Sequence, residues 1–266
     1  DFFPFQVIDG AQIQKGAIGN SAFCLFDEKI AFVGSGKGES TGIYLGVNAS
    51  TEMISTQEIN NILLSYSESE LSQIKIEYRQ DRANKFLYVH LPEKTLVYNH
   101  SASEELNLRI WQVLNSGESK NTQYRARNFV FVYNQWFCGD TQANQIGYLT
   151  EDIGTHWGNS TYWECSTKIS YNETKGVNFN RLELVALTGN YELNKTPYVY
   201  TQYTTDGLFW SQPKSVSCGT IGNTRKRLVW FANGFMRKTR MQRFFGYSDA
   251  HISILGLDAQ LTGFNA

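Results

Sequence analysis

The chain has 266 residues, of which 41% are hydrophobic, 14% aromatic and 18% charged, and its formal net charge is −1. This composition excludes a disordered chain and a uniformly basic nucleic-acid binder, and the length supports one large domain or two modest ones with a sizeable core. No apolar run approaches the ~20 residues of a membrane span, so no membrane insertion is expected. The opening, DFFPFQVIDG, begins with Asp1 and carries apolar residues that need a partner. It reads as mid-domain sequence, and a fragment of a longer polypeptide is expected.

Short alternating strands come first. SAFCLF-DEK-IAFVG predicts strands at about 22–26 and 30–33, followed by Ile43–Val47. Between them, GSGKGESTG at Gly34–Gly42 resembles a phosphate cradle only superficially. It lacks the GxxxxGK[ST] spacing and leads into a strand, so no helix N-terminus is available for an anion. A helix is expected over Thr56–Leu64, with Ile59, Ile62 and Leu63 on one face and Thr56 as its cap. Ser67-Glu68-Ser69-Glu70 resembles a capping box opening one more short turn. In KFLYVHLPEKTLVYNH, Leu87, Val89 and Leu91 share one face while Phe86, Tyr88 and His90 share the other. Pro92-Glu93-Lys94 turns the chain into Thr95–Tyr98, and Leu108–Leu114 follows. NFVFVY-NQ-WFCGD repeats the hairpin at about 129–133 and 136–138, with Ile146–Leu149 next. WFCGDTQANQIGYLT has the strand, turn, strand cadence of a propeller blade.

After about residue 155 the strands lengthen: Tyr162–Ser170, Val177–Leu187, Tyr198–Thr204, Arg225–Phe231, Phe235–Gly246 and His251–Leu261. These predict a β-sandwich of six or seven strands. The expected fold is therefore all-β, with propeller-like blades followed by a β-sandwich module and minor helix confined mainly to about 56–72. Residues 1–155 form a partial propeller-like domain of about three blades, and residues 156–266 form the sandwich.

The chemistry is sparse. The four histidines, His90, His100, His156 and His251, stand apart, with no HExxH or comparable pair. Cys24, Cys138, Cys165 and Cys218 form no CxxC or Cys/His cluster, so four free thiols, no structural metal and assembly in the cytoplasm are expected. Neighbouring acids at Glu104-Glu105 and Glu151-Asp152 point in different directions on a strand or turn, which does not make a glycosidase pair. TTDGLFW, at Thr204–Trp210, resembles the Asp-box turn of sialidase propellers. That box spaces its Asp and Trp one residue further apart, and a structural turn is the better reading. No catalytic constellation emerges, so neither enzymatic activity nor a cofactor is expected.

Charge is uneven. Residues 1–150 hold 12 basic and 16 acidic side chains, a net of −4, and residues 151–266 hold 12 and 9, a net of +3. The excess concentrates in RKRLVWFANGFMRKTRMQRFF, which carries Arg225, Lys226, Arg227, Arg237, Lys238, Arg240 and Arg243 and no acid. Five aromatic rings lie among these charges. On strands, Arg237, Thr239, Met241 and Arg243 share one face and Lys238 and Arg240 the other, so the charges do not form one stripe. Three readings stand: solvated strands over an aromatic core, an interface with acidic neighbours, or a DNA-facing patch.

The stretches IQKGAIGNS, ISTQEINNILLSYSESEL, KFLYVHLPEKTLVYNHS, WFCGDTQANQIGYL, TTDG and KRLVW…GFMRK, in this order, make the chain resemble the packaged-DNA stabilisation, or tail hub, proteins of short-tailed phages. The resemblance runs from Gln14 to the C-terminus and is most specific around Ile54–His100. It implies a structural part of the virion, assembled in the host cytoplasm: a homo-oligomeric ring, six-fold, beneath the portal and its adaptor. Such a ring retains packaged double-stranded DNA, receives the tail needle and tailspikes, and passes the genome on ejection. It needs no cofactor. Two other classes compete: a glycan-binding or sialidase-like β-propeller protein, and an interaction module of a larger cellular protein.

Overall fold

The computed structural model describes residues 10, 12–151, 153–173, 175–191, 196–248 and 251–264. By packing, the chain divides into two compact units. One comprises Asp1–Asn115 and Gln123–Leu149, the other Ser116–Thr122 and Thr150–Ala266.

The first unit is a series of three antiparallel sheets among its described residues. The first sheet contains β1 (Gly16–Ala17), β2 (Phe23–Phe26), β3 (Lys29–Ser35), β4 (Gly42–Val47) and β5 (Ser50–Met53), with β3 and β4 at its centre. Gly34–Gly42 is a strand-to-strand loop, and Lys15 pairs with Glu39 beside it. Two helices follow, α1 (Gln57–Leu64) and α2 (Glu68–Leu71). Ile59 and Leu63 are the buried stripe of α1, as the spacing requires. Thr56 sits at its N-cap position, but its side chain makes no capping bond. The capping box of α2 forms, with Ser67 N–H donating to Glu70 Oε2 at 2.8 Å.

The second sheet is a meander of β6 (Lys75–Asp81), β7 (Asn84–His90), β8 (Thr95–Asn99) and, after helix α3 (His100–Leu106), β9 (Trp111–Leu114). Strand Leu108–Leu114 therefore starts late, and helix extends beyond 56–72. The signal for α3 is Asn99, whose Oδ1 accepts from Ala102 N–H at 3.1 Å as an N-cap, with Asn107 ending the helix in the left-handed region. The Glu104-Glu105 pair falls on this helix. The third sheet holds β10 (Ala126–Val132), β11 (Gln135–Asp140) and β12 (Ile146–Tyr148). Tyr133 and Asn134 both have positive φ, the geometry of a type I′ hairpin.

One core runs through the first two sheets and the helices. Leu87, Val89, Leu91 and Leu96 are fully buried in it, against Ile43, Ile54, Leu63 and Ile74. A polar node ties the second sheet to the third. Glu77 of β6 lies 2.9 Å from His90 Nε2 and 3.2 Å from Lys75 Nζ, and it accepts the Asn128 N–H of β10 at 3.0 Å. Burial alone would raise the Glu77 pKa; the close approach of the His90 ring, the hydrogen bond from Asn128 N–H and the charge of Lys75 hold it at about 2. Burial pushes His90 below its ordinary 6.5.

The second unit is a two-sheet β-sandwich. Its strands are β13 (Thr161–Ser166), β14 (Ser170–Tyr171), β15 (Gly176–Asn190), β16 (Tyr198–Thr204), β17 (Lys214–Ser217), β18 (Leu228–Phe231), β19 (Phe235–Met236), β20 (Thr239–Ser248) and β21 (His251–Phe264). One sheet runs β13-β20-β16-β17, with β14 also on β20; the other centres on β15, flanked by β18 and β19 on one edge and β21 on the other. Leu184, Val199, Leu228, Trp230 and Phe244 fill the space between them. Three expected strands are shorter or broken. Arg225–Arg227 lies outside the strand, which begins only at Leu228, the stretch Phe235–Gly246 breaks at Arg237-Lys238, and Tyr162–Ser170 breaks after Ser166. All four cysteines are free thiols, with Cys138 and Cys218 buried and Cys165 exposed.

The Glu77 node sets an acid dependence. A carboxylate held below its ordinary 4.5 contributes stability above that pH and loses it as pH falls toward about 2, and a histidine held below 6.5 favours unfolding as pH drops through that value. Stability of this unit should fall steadily from neutral pH into acid. Glu77→Ala should cost about 3 kcal/mol at pH 7, as removal of one partner from a buried pair does. Urea denaturation across pH checks both; an unchanged midpoint in the variant would contradict the role given to Glu77.

Candidate interaction surface

The seven basic residues share a segment but not a surface. Arg240 is inward and only 1% exposed. It alternates on β20 with Arg243, and the inner face of this strand packs on the other sheet. Its guanidinium carbon lies 3.9 Å from the Phe179 ring centroid and 3.8 Å from that of Tyr203. Nη2 donates to Asn233 O at 2.7 Å and to Gln242 Oε1 at 2.6 Å, while Nη1 is buried without a hydrogen bond. Burial lowers its pKa to about 10. Arg240 is thus a cation of the core, held by two aromatic faces and neutral oxygens. The expectation that Lys238 and Arg240 share a face fails because the strand breaks before Thr239, leaving Lys238 exposed in the turn.

Arg243 stands on the outer face of the same strand. Its guanidinium stacks on Trp210 at 3.9 Å, donates to Gln202 Oε1 at 2.6 and 3.1 Å, and lies 3.3 Å from Glu164 Oε2. Beside it run Tyr162, Tyr200, Phe245 and Tyr247, with Tyr200 and Phe245 stacked at 5.2 Å and 17°. The rings stand against one another across three strands. Arg227 binds Glu183 through both prongs, Nε at 2.6 Å and Nη2 at 2.5 Å, and Arg181 joins the same carboxylate. These guanidiniums, that of Arg227 foremost, hold Glu183 below its ordinary pKa.

Four cations remain exposed and form no ion pair among the described residues: Arg225, Lys226, Arg237 and Lys238. Arg225 and Lys226 precede Leu228, which pairs with Leu184 on β15, and Arg237 and Lys238 follow Met236, which pairs with Val177. At the ~3.3 Å rise of a strand, the two pairs are separated by roughly 23 Å along β15, beyond a Debye length of about 8 Å at physiological salt. They act as two separate charged tips. The sequence cannot show this, because the sandwich, not the chain order, determines where each turn lies.

The remaining candidates resolve simply. Asp206 Oδ1 accepts from Leu208 N–H at 2.9 Å, Phe209 N–H at 3.0 Å and Thr204 Oγ1 at 3.0 Å, so its carboxylate is used within its own turn. His156 Nδ1 lies 3.0 Å from Ser116 Oγ, and His100 pairs with Glu104 on α3. Asp152 lies outside the described residues. Among the described residues no group of three or more His, Cys, Asp or Glu could hold a metal ion. None of their helices is long and apolar enough to cross a membrane. Sequence reasoning missed Phe179, Tyr203 and Trp210, which come from other strands and loops to clasp the arginines.

The chain matches two family models in series: "Bacteriophage P22 Gp10, beta-propeller" over residues 1–154 and "Bacteriophage P22 Gp10, beta-sandwich" over residues 162–262. It is similar to the tail hub protein gp10 of Salmonella phage P22, with 24% identity over 235 residues, 88% of this chain and 47% of that protein. The chain thus spans about half the length of the curated relative. A solved exo-β-1,3-galactanase from Phanerochaete chrysosporium covers 89% of this chain and 66% of its own at 9% identity, but with a TM-score of 0.18 it carries no argument.

The geometry separates the basic residues by their effect on stability. Arg240→Ala should cost about 3 kcal/mol or more, since it empties the space between two rings and leaves Asn233 O and Gln242 Oε1 unpaired. Joint replacement of Arg225 and Lys226 by Ala should stay within about 0.5 kcal/mol. Urea melts of the two variants should differ accordingly; equal midpoints would refute the assignment.

Proposed function

The chain belongs to the bacteriophage P22 Gp10 family, and from that premise we propose that it serves as a tail hub of a short-tailed phage, a structural part of the virion rather than an enzyme. The observation that carries this reading is the match of both modules, in order, to one family. The fold suits the role. Antiparallel sheets with polar and aromatic outer faces make rigid parts that meet neighbouring subunits without a catalytic group.

In this reading the hub forms a ring, six-fold, below the portal and its adaptor. It receives the needle and tailspikes, retains packaged DNA by closure, and passes the genome on ejection after assembly in the host cytoplasm. The four free cations favour weak, sequence-independent contact with phosphate over a continuous grip. A strong grip would slow ejection. The sandwich-borne residues Arg225, Lys226, Arg237 and Lys238 are the surface members of this proposed contact, with Arg227 and Arg243 already ion-paired with Glu183 and Glu164. We further propose that the working boundary between the two modules lies near residue 155. The sialidase-like alternative loses its support because Asp206 is committed to its turn.

Negative-stain imaging of the full-length protein with a portal–adaptor assembly tests the role: a docked ring supports it, and persistent monomers with oligosaccharide affinity refute it. DNA affinity offers a second check. With at most two free cations at each tip and about −0.9 per phosphate neutralised, the log–log salt slope should be near −2 and shallower than about −3. A slope near −6, abolished by replacing Arg237 and Lys238, would show that a dedicated DNA groove exists.

A further inference from the structure

One face of β21 lines a cavity rather than a sealed core. Leu257, Ala259, Leu261 and Gly263 alternate along the strand and front a space of about 440 Å³ between the two sheets of the sandwich. Val177 and Met236 are further apolar walls. Leu261 and Tyr171 line the cavity yet are 50% and 64% exposed, so it opens to solvent between β14 and β21. A pocket of this size, mostly apolar with a few polar groups, has the form of a small-molecule site.

Arg240 alone is charged among the described residues that line it. The Nε–Nη2 side of its guanidinium holds Gln242 Oε1 at 3.2 and 2.6 Å, and Nη2 also donates to Asn233 O at 2.7 Å. Nη1 is buried, and its N–H donors make no hydrogen bond. Burial lowers the Arg240 pKa to about 10, so the side chain is a cation at neutral pH, and no carboxylate stands among the groups that set that value. A buried cation with free donors on an apolar cavity favours an anion that brings apolar surface with it.

We propose that this cavity binds an aliphatic carboxylate, the head group accepting from Arg240 Nη1 and the chain lying along Leu257–Gly263. The dimensions set the class. From Leu257 to Gly263 the strand rises roughly 20 Å, so 440 Å³ spread along it is a slot about 5 Å across. Carbon atoms pack at about 3.5–4 Å, so a slot of that width takes one unbranched chain and not a fused ring system. At about 30 Å³ per non-hydrogen atom, the share of a water in the liquid, the cavity holds roughly 15 atoms, which fits an acid of about ten to twelve carbons. Met236 adds an adaptable wall. The site goes beyond the tail-hub reading: it lies within the sandwich of one copy and is indifferent to how copies are arranged.

Isothermal titration calorimetry of the full chain with sodium decanoate at neutral pH should show one saturable site, with a Kd on the order of 100 µM or tighter. Decanol, which keeps the chain and lacks the charge, should bind about tenfold more weakly or worse. Acetate, which keeps the charge and lacks the chain, should give no measurable binding. Arg240→Ala should abolish the site but also unsettles the sandwich, so a second variant is needed. Ala259 is an exposed strand position on the cavity wall, and Ala259→Phe should fill the slot and weaken decanoate by about tenfold or more while the urea midpoint holds. Joint replacement of Arg225 and Lys226 by Ala should leave affinity unchanged, which separates the buried cation from surface charge. Absence of saturable decanoate binding overturns the proposal. So does decanol binding as tightly as decanoate, or decanoate affinity that survives Ala259→Phe.

Discussion

The β-sandwich depends on one buried guanidinium. Arg240 belongs to β20 in one sheet. Its flanking rings come from both sheets, Phe179 from β15 and Tyr203 from β16, and its hydrogen-bonded carbonyl belongs to Asn233 in the turn between β18 and β19. The group therefore fixes the spacing of the two sheets and the path of that turn together. Gly234 fits the same constraint: it has positive φ, and a Cβ there would meet the Tyr203 hydroxyl at 2.5 Å and its ring at 2.9 Å. A buried charge without a carboxylate is costly, and the flat faces of two aromatic rings with two neutral oxygens offset that cost.

The first unit solves a similar problem with an acid. Glu77 gathers His90, Lys75 and the bulged Asn128 N–H, so a polar node links β6 to β10 where small sheets have little shared core. Around it the aromatic contacts of Tyr88, His90 and Phe129 complete the packing of the second sheet on the third. Both units thus place one ionised group where separate β layers must be held in register.

These commitments define what is left for partners. Arg227 and Arg243 are spent on Glu183 and Glu164, Arg240 on the core, and the free cations sit at two ends of one sheet. The outer face of the β20 sheet instead carries a cluster of tyrosine and phenylalanine rings. Such surfaces suit protein neighbours more than nucleic acid.

The amino-acid pattern alone determined the all-β class, the short hairpins followed by long strands, the buried alternation of Leu87, Val89 and Leu91, and the capping box at Ser67. Each rests on neighbours within a few residues, where periodicity and turn chemistry act directly. The same pattern could not locate α3, whose cap Asn99 looks like the end of a strand until Ser103 and Ala102 fold back on it. Nor could it separate the seven basic residues, because alternation says which side of a strand a residue takes but not which side is the core, nor where the strand breaks. Only tertiary packing decided that Arg240 is interior: its partners Phe179, Tyr203 and Asn233 lie 61, 37 and 7 residues away in the chain, and the energy of a buried charge is set by those distant contacts rather than by local sequence.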